Sequence, residues 1–367
     1  MIIKRFLCEN FRNIEKCSLE FSPGVNLLFG DNAQGKTNVI EGIYLFSRGK
    51  SFRGREDSEL VKFSEDGFYL KIEYEKKKIF ETLEYALFGK EKQRKRNGHK
   101  IERIKEMIGS FNSVLFSPDD LLLVKESPEH RREFMNVAIS QYSNTYISLY
   151  SKYKKALVNR NCLLKNIQKG MGYYIEELNS WSECLAEFSC DIYLERIRFT
   201  EKIEKWAKTV IDEISDKKED LKIYYKSDIE NKSLDKEEIK REYVRIFTDS
   251  LDREILAGTT LFGPHRDDME IQINGKSARN FASQGQQRSI VLALKMAEGE
   301  IIREMNGEYP VFLFDDVLSE LDERRQKYIL SKKGEKQIII TACQKNEIND
   351  YADRIIEVNS GKYEIIK

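Results

Sequence analysis

Gly30-Asp31-Asn32-Ala33-Gln34-Gly35-Lys36-Thr37 reads G-x-x-x-x-G-K-[ST], and its setting dictates the fold of the chain around it. The apolar segment Val25-Asn26-Leu27-Leu28-Phe29 has the length of a buried strand. Asn38-Val39-Ile40-Glu41-Gly42-Ile43-Tyr44-Leu45-Phe46 then carries apolar residues at helical spacing. Between a strand and a helix, the glycines let backbone N–H groups converge on phosphate oxygens, and the helix N-terminus adds partial positive charge. Lys36 is expected to reach the β- and γ-phosphates, Thr37 to offer its hydroxyl to Mg²⁺, and Gly30 to Asn38 to hold the nucleotide. ATP and Mg²⁺ are the expected cofactors. The competing reading is a chance glycine turn before a helix.

The carboxylate that completes such a site should end a second apolar strand, and Val311-Phe312-Leu313-Phe314-Asp315-Asp316 is the candidate. Asp315 is expected to hold Mg²⁺ through its water shell, and Asp316 to orient or deprotonate the attacking water. The two halves lie near opposite ends of the chain, so something large is inserted between them. Ser283-Gln284-Gly285-Gln286-Gln287-Arg288, ahead of the apolar run Ile290 to Ala297, makes a second phosphate cradle. One nucleotide needs one cradle. Ser283, Gly285 and Gln286 are therefore expected to close over ATP held by a second copy, with Ser283 catalytic alongside Lys36 and Asp316. The alternative is that Ser283 merely caps its helix.

Together these resemble the ABC-type ATPase heads of SMC-like DNA repair proteins. Within them the chain is similar nearly end to end to the bacterial RecF family. The resemblance rests on Glu9 to Asn13, Gly30 to Asn38, Ser51-Phe52-Arg53 and Phe116 to Leu121. It continues through Val124 to Pro128, Arg131-Arg132, Gly263-Pro264-His265-Arg266-Asp267-Asp268, Ala282 to Arg288 and Phe314 to Asp322. It implies a weak, DNA-stimulated ATPase that binds double-stranded and gapped DNA and dimerises on ATP. It also implies recombinase loading at single-strand gaps, with RecR and RecO as companions, in replication, repair and the SOS response. Ser319 to Asp322 resembles the loop that crosses such a dimer interface, and Arg12 falls where related heads place a basic residue near the nucleotide.

Three departures stand out. Asp316 replaces the usual glutamate, and its shorter arm suits slow turnover. The segment after Ser113-Val114-Leu115-Phe116 lacks a glutamine to sense Mg²⁺, leaving Ser117, Asp119 or Asp120 as substitutes. The switch histidine is missing after Gln337 to Ile340, where Thr341 stands instead.

Lysine plus arginine and aspartate plus glutamate both number 62, so nucleic acid must be met by a local patch. The densest is Lys90 to Lys105, with eight basic residues against Glu91 and Glu102. Asn97-Gly98 places it on a hairpin, where Lys92, Arg94, Lys95 and Arg96 are the candidates to track a phosphate backbone. A solvated hairpin tip is the alternative. No membrane span, signal peptide, metal-ligand spacing or disulfide framework is read, so the expectation is a reduced, cytoplasmic protein with no membrane partner.

The expected fold class is α/β: an ABC-type P-loop head with an antiparallel β subdomain and a mostly helical second lobe. Residues 1–117 plus 258–367 are assigned to the ATPase domain and 118–257 to the lobe. No glycine or proline interrupts Tyr173 to Ala257, which reads as helix with one strand near Leu221 to Tyr225. No heptad is sustained, so no long coiled coil is expected. Trp181 and Trp206 are read as core. His265 and Arg266 either couple the lobe to DNA or ATP, or form a turn held by Arg266 with Asp267 or Asp268. Two other functions compete, a transporter ATPase subunit and a small-molecule kinase. The first calls for the missing glutamine and histidine, and the second has no use for Ser283 to Arg288.

Overall fold

The computed structural model describes residues 1–54, 56–172, 174–230, 235–331, 334–343 and 350–367. Its strands are β1 Ile2–Phe11, β2 Ile14–Glu20, β3 Val25–Phe29, β4 Gly67–Lys76, β5 Ile79–Phe88, β6 Glu91–Arg96, β7 His99–Lys100 and β8 Ser113–Phe116. They continue with β9 Leu221–Lys226, β10 Asp268–Ile273, β11 Lys276–Ser277, β12 Val311–Phe314, β13 Ile338–Ala342, β14 Arg354–Asn359 and β15 Lys362–Ile365. The helices are α1 Lys36–Arg48, α2 Leu122–Lys125, α3 Pro128–Ser140, α4 Asn144–Gln168, α5 Ile175–Ser215, α6 Lys236–Asp249, α7 Leu251–Ala257, α8 Ala278–Phe281, α9 Gln284–Asn306 and α10 Glu323–Ser331.

The chain divides into two compact units. The first holds Met1–Leu121, Trp206–Glu219 and Ser283–Lys367. One of its sheets is antiparallel, in the order β2-β1-β4-β5-β6-β7. The other runs β15-β14-β3-β13-β12-β8 and is parallel except for the β14–β15 hairpin. Strands β3 and β12 are buried at every position and apolar except for Asn26, whose amide donates to the Ser22 carbonyl (2.9 Å). Helix α1 lies between the sheets, and a Cβ on Gly42 would come within 2.8 Å of the Phe6 ring. Asn97 and Gly98 both have positive φ, as the tight turn between β6 and β7 requires.

The second unit holds Leu122–Lys205 and Asp220–Ala282. It is mostly helical, with the sheet β11-β10-β9. The expected division put residues 258–282 with the ATPase domain. Here β10 pairs with β9 from Asp268↔Lys226 to Ile273↔Leu221, a non-local pairing that groups these residues with the lobe. No long coiled-coil arm is present among the described residues, and α4 and α5 fold onto a shared cluster of Leu163, Leu164 and Leu178. Trp181 packs partly buried against that cluster. Trp206 is not core either: its indole donates to Glu304 (3.3 Å) in the first unit, and Arg303 lies over its ring. An amphipathic ring at a helix margin satisfies its N–H this way. No described helix is long and apolar enough to cross a membrane.

The interior of the second unit is held by buried cations. Arg160 donates to Glu254 (2.6 Å), Thr260 (2.8 Å) and Ser182 (2.9 Å). Arg196 donates to the Pro264 carbonyl (2.6 Å), Asn136 (2.9 Å) and Tyr146 (3.2 Å). The side chains of Arg160 and Glu254 are both fully buried. Removing one partner strands the other charge, so Arg160→Leu should cost roughly 3–5 kcal/mol in urea unfolding. A loss below about 1 kcal/mol would show that Glu254 finds another partner or protonates at little cost.

Candidate functional site

The site forms at the C-terminal ends of the parallel strands, where open α/β sheets place their ligands. Strand β13 lies between β3, which feeds the glycine loop, and β12, which ends in the carboxylates. That order brings the distant halves of the sequence together. Thr37 Oγ1 donates to Asp315 Oδ1 at 2.8 Å.

The loop is shaped to receive an anion. Lys36 is buried and donates to the carbonyls of Gly30 (2.6 Å) and Asp31 (2.8 Å), spanning the loop with its charge. Gly30 has φ 152°, and a Cβ there would come within 2.1 Å of the Val358 carbonyl. Gly35 has φ 113°, where a Cβ would press on Tyr363 and Asn13. Only glycine fits both positions. Thr37 and Asp315 set two hard oxygen donors side by side, the donor chemistry Mg²⁺ takes. These residues fit ATP and Mg²⁺.

Residues the sequence did not single out brace the loop. Asn13 Nδ2 donates to the Ala33 carbonyl (3.0 Å), and its Oδ1 accepts from Asn38 Nδ2 (2.6 Å). The Ser360 amide donates to Gln34 Oε1 (2.5 Å), and Gly361 N to the Gln34 carbonyl (3.1 Å). Both come from the β14–β15 hairpin, whose last strand the sequence reading missed. Cys343 Sγ lies 2.9 Å from Asn32 Oδ1 and 4.0 Å from Asp316 Oδ1. Asn13 adjoins Arg12 in sequence; nothing local marks the others.

Arg12 is committed elsewhere. Its guanidinium donates to both oxygens of buried Glu41 (3.0 and 2.7 Å) and to the Glu59 carbonyl (2.8 Å). Arg53 instead meets the helix start, donating to Asn38 Oδ1 at 3.1 Å.

Burial pushes the Asp315 carboxyl up, and the hydroxyls of Thr37 and Thr341 partly offset it. Asp316 follows at φ 52°, with its amide on Thr341 Oγ1 (2.9 Å). Of the candidates to replace the missing glutamine, Asp120 is taken. One oxygen pairs with Lys295 of α9 (2.7 Å), and the other caps the Ser117 amide (2.7 Å). Burial works against the Lys295 charge, but Asp120 and Glu298 more than offset it and leave its pKa raised.

Ser283 is exposed at the start of α9 and accepts from the Gln286 amide (3.2 Å), while Gln286 Oε1 accepts from Ser283 N (2.9 Å). This reciprocal cap satisfies two helix-end donors. Arg325 reaches the Gly285 carbonyl (2.9 Å) and ion-pairs with Asp322, tying the following loop to α9. In their own chain these groups bond to the first turn of α9 and to Arg325.

The basic hairpin divides by strand alternation. Lys92 pairs with Asp57 (2.5 Å), Arg96 with Glu81 (2.7 Å), and Arg94 lies over the Tyr85 ring (4.8 Å). Lys95 is exposed on the other face, opposite Lys100 on β7 and Glu84 on β5. Three of the four expected phosphate contacts therefore have partners within the chain, a division that counting charges misses.

The Gly-Pro-His-Arg-Asp segment belongs to the second unit. His265 Nδ1 lies 2.6 Å from the Tyr153 hydroxyl, and burial holds the imidazole down at about 4. Arg266 makes neither expected pair: Asp267 accepts from Tyr225 (2.6 Å) and Asp268 from Arg131 (2.7 Å). Burial pushes Asp267 up to about 6.

The model of the RecF/RecN/SMC N-terminal domain matches residues 2–367. The DNA replication and repair protein RecF of Clostridium acetobutylicum is 39% identical over 352 residues, covering 96% of this chain and 95% of that protein. The protein of the same name from Thermoanaerobacter sp. is 38% identical, covering 98% and 99%. A solved structure of the recombination mediator protein RecF with ATP, described as in the RecFOR pathway, superposes with TM-score 0.92 at 37% identity. It covers 100% of this chain and 97% of that one. The Smc head domain of Pyrococcus furiosus reaches TM-score 0.57 at 18% identity, a likeness of fold.

Lys36→Ala should weaken ATP binding on the order of 100-fold, because it removes the charge-assisted contacts to the β- and γ-phosphates. Lys36→Arg should bind ATP but hydrolyse it poorly, since a guanidinium places its donors differently. Fluorescent-nucleotide titration beside phosphate release checks both. Unchanged affinity in Lys36→Ala would remove the loop from the nucleotide site.

Proposed function

Since the chain belongs to the RecF family of DNA replication and repair proteins, we propose that it is a DNA-binding ATPase switch whose site is completed by a second copy. Lys36 and the loop amides hold the β- and γ-phosphates, and Thr37 and Asp315 hold Mg²⁺. The bound ion supplies charge neutralisation at the γ-phosphate. Asp316 takes the proton of the attacking water, and its short arm makes turnover slow. Ser283, Gly285 and Gln286 meet the γ-phosphate on the partner, so ATP joins two chains and hydrolysis releases them.

The observation that carries this reading is the exposed Ser283 at the start of the 23-residue helix α9, whose hydroxyl bonds, among the described residues, to that helix's first turn. Its hydroxyl and the amides beside it point the positive end of a long helix outward. The reading extends to double-stranded and gapped DNA as the ligand, and to recombinase loading at single-strand gaps with RecR and RecO. The name RecFOR, attached to the similar ATP-bound structure, supports that extension. For DNA contact, the β6–β7 hairpin offers Lys95 and Lys100. They stand directly opposite one another at the edge of the sheet, two exposed like charges with Glu84 on the far side of Lys95.

Asp316→Asn should sediment as a monomer without nucleotide and as a dimer with ATP and Mg²⁺. Adding Ser283→Arg should leave ATP affinity unchanged and abolish the dimer. A monomer in the first case, or an intact ATP-dependent dimer in the second, would defeat the two-chain site and leave Ser283 a helix cap.

Substituting Lys95 and Lys100 by Gln should lower the slope of log affinity against log salt by about 1 to 2 for any duplex sequence. Arg96→Gln should instead act through Glu81, on stability. Equal salt slopes in all three proteins would return the hairpin to a solvated face.

A further inference from the structure

Thr341 is a buried residue near the end of β13, the strand that separates the phosphate loop's strand from the carboxylates' strand. Its hydroxyl has one proton to give and two lone pairs to offer. The Asp316 amide donates to Oγ1 at 2.9 Å. Oγ1 in turn lies 3.0 Å from Asp315 Oδ1, with the Phe314 carbonyl farther off at 3.4 Å. One hydroxyl therefore touches both acidic residues, one through its side chain and the other through its backbone.

The backbone contact matters because Asp316 has φ 52°. A residue with a Cβ occupies that left-handed region at a cost and stays there only when its surroundings hold it. The side-chain contact matters because Asp315 Oδ1 also accepts from Thr37 Oγ1 at 2.8 Å. Thr37 has a second duty to a bound metal ion, whereas Thr341 has none. Its hydroxyl is therefore left to the two carboxylate residues.

We propose that Thr341 is a positioning residue for hydrolysis, holding the Asp315 carboxylate in its metal-binding orientation and fixing the strained turn that aims Asp316 at the water. The proposal rests on reading this site as one for Mg²⁺ and ATP. It gives the threonine a role of its own, its hydroxyl being spent on the Asp315 carboxylate and the Asp316 amide.

Thr341→Val keeps the β-branched shape and removes the hydroxyl; Thr341→Ser keeps the hydroxyl and removes the methyl. In the Val variant, kcat should fall about tenfold, and the Mg²⁺ needed for half-maximal hydrolysis should rise about tenfold, since a buried partner loses its bond. ATP binding in EDTA should stay within about twofold, because the loop and Lys36 are untouched. In the nucleotide-free protein, the Asp316 amide should exchange with deuterium at least about tenfold faster, read at single-residue resolution. The Ser variant should restore the amide protection and the Mg²⁺ dependence. An unchanged Asp316 exchange rate in Thr341→Val would overturn the proposal. So would equal impairment of the Val and Ser variants, which would assign the effect to packing of the methyl. A native protein without Mg²⁺-dependent turnover would sink the reading of the site, while the exchange measurement would still decide the role of Thr341.

Discussion

The hydrogen bond from Thr37 to Asp315 joins residues 278 apart in the 367-residue chain. That 2.8 Å contact is made possible by the parallel sheet of the first unit. It requires β3, near the start of the chain, to lie in one sheet with β12 and β13, near its end. That requirement in turn makes the second unit an excursion between two strands of one sheet. Parallel pairing over such separations carries a loop-closure cost, offset here by complete burial of short, mostly apolar strands. Val25 to Phe29 and Val311 to Phe314 are buried at every position for that reason.

What the sequence made legible was local or carried by residue type. The glycine loop, the carboxylates after an apolar strand and the Asn97-Gly98 turn each have a physical signature within a few residues. What it hid was non-local. Ser360 and Gly361 brace Gln34 from the far end of the chain, and no spacing announces it. Arg12 was expected near the nucleotide, but its guanidinium is held by Glu41, which lies more than a turn into α1 and is fully buried. The basic hairpin shows an intermediate case. Its alternation was available in the sequence, and applying it would have set Lys92, Arg94 and Arg96 apart from Lys95. The division between units was misjudged at residues 258–282 because β10 carries no mark of its pairing with β9.

Most of the Gly-Pro-His-Arg-Asp segment is engaged in building the second unit, Pro264 through its carbonyl on Arg196, His265 on Tyr153 and Asp267 on Tyr225, while Arg266 is exposed. Buried polar groups must be satisfied, and a network of this size specifies one packing because few alternatives satisfy every member.

The acidic residues around the nucleotide site differ most in how far each is already engaged. Asp120 is bolted to Lys295 and to its own turn, so the segment after β8 is tied to α9, the helix that carries Ser283. Asp315 is gripped by two hydroxyls. Among the described residues, the Asp316 side chain meets Cys343 Sγ at 4.0 Å. On the proposed reading, a carboxylate held by its backbone and loosely engaged at its tip is placed to accept a proton from a water. The Asp120–Lys295 contact of 2.7 Å thus links the segment after β8 to the helix that begins just past Ser283. On the proposed reading, that link joins the strand ends around the nucleotide to the surface that a second copy would meet.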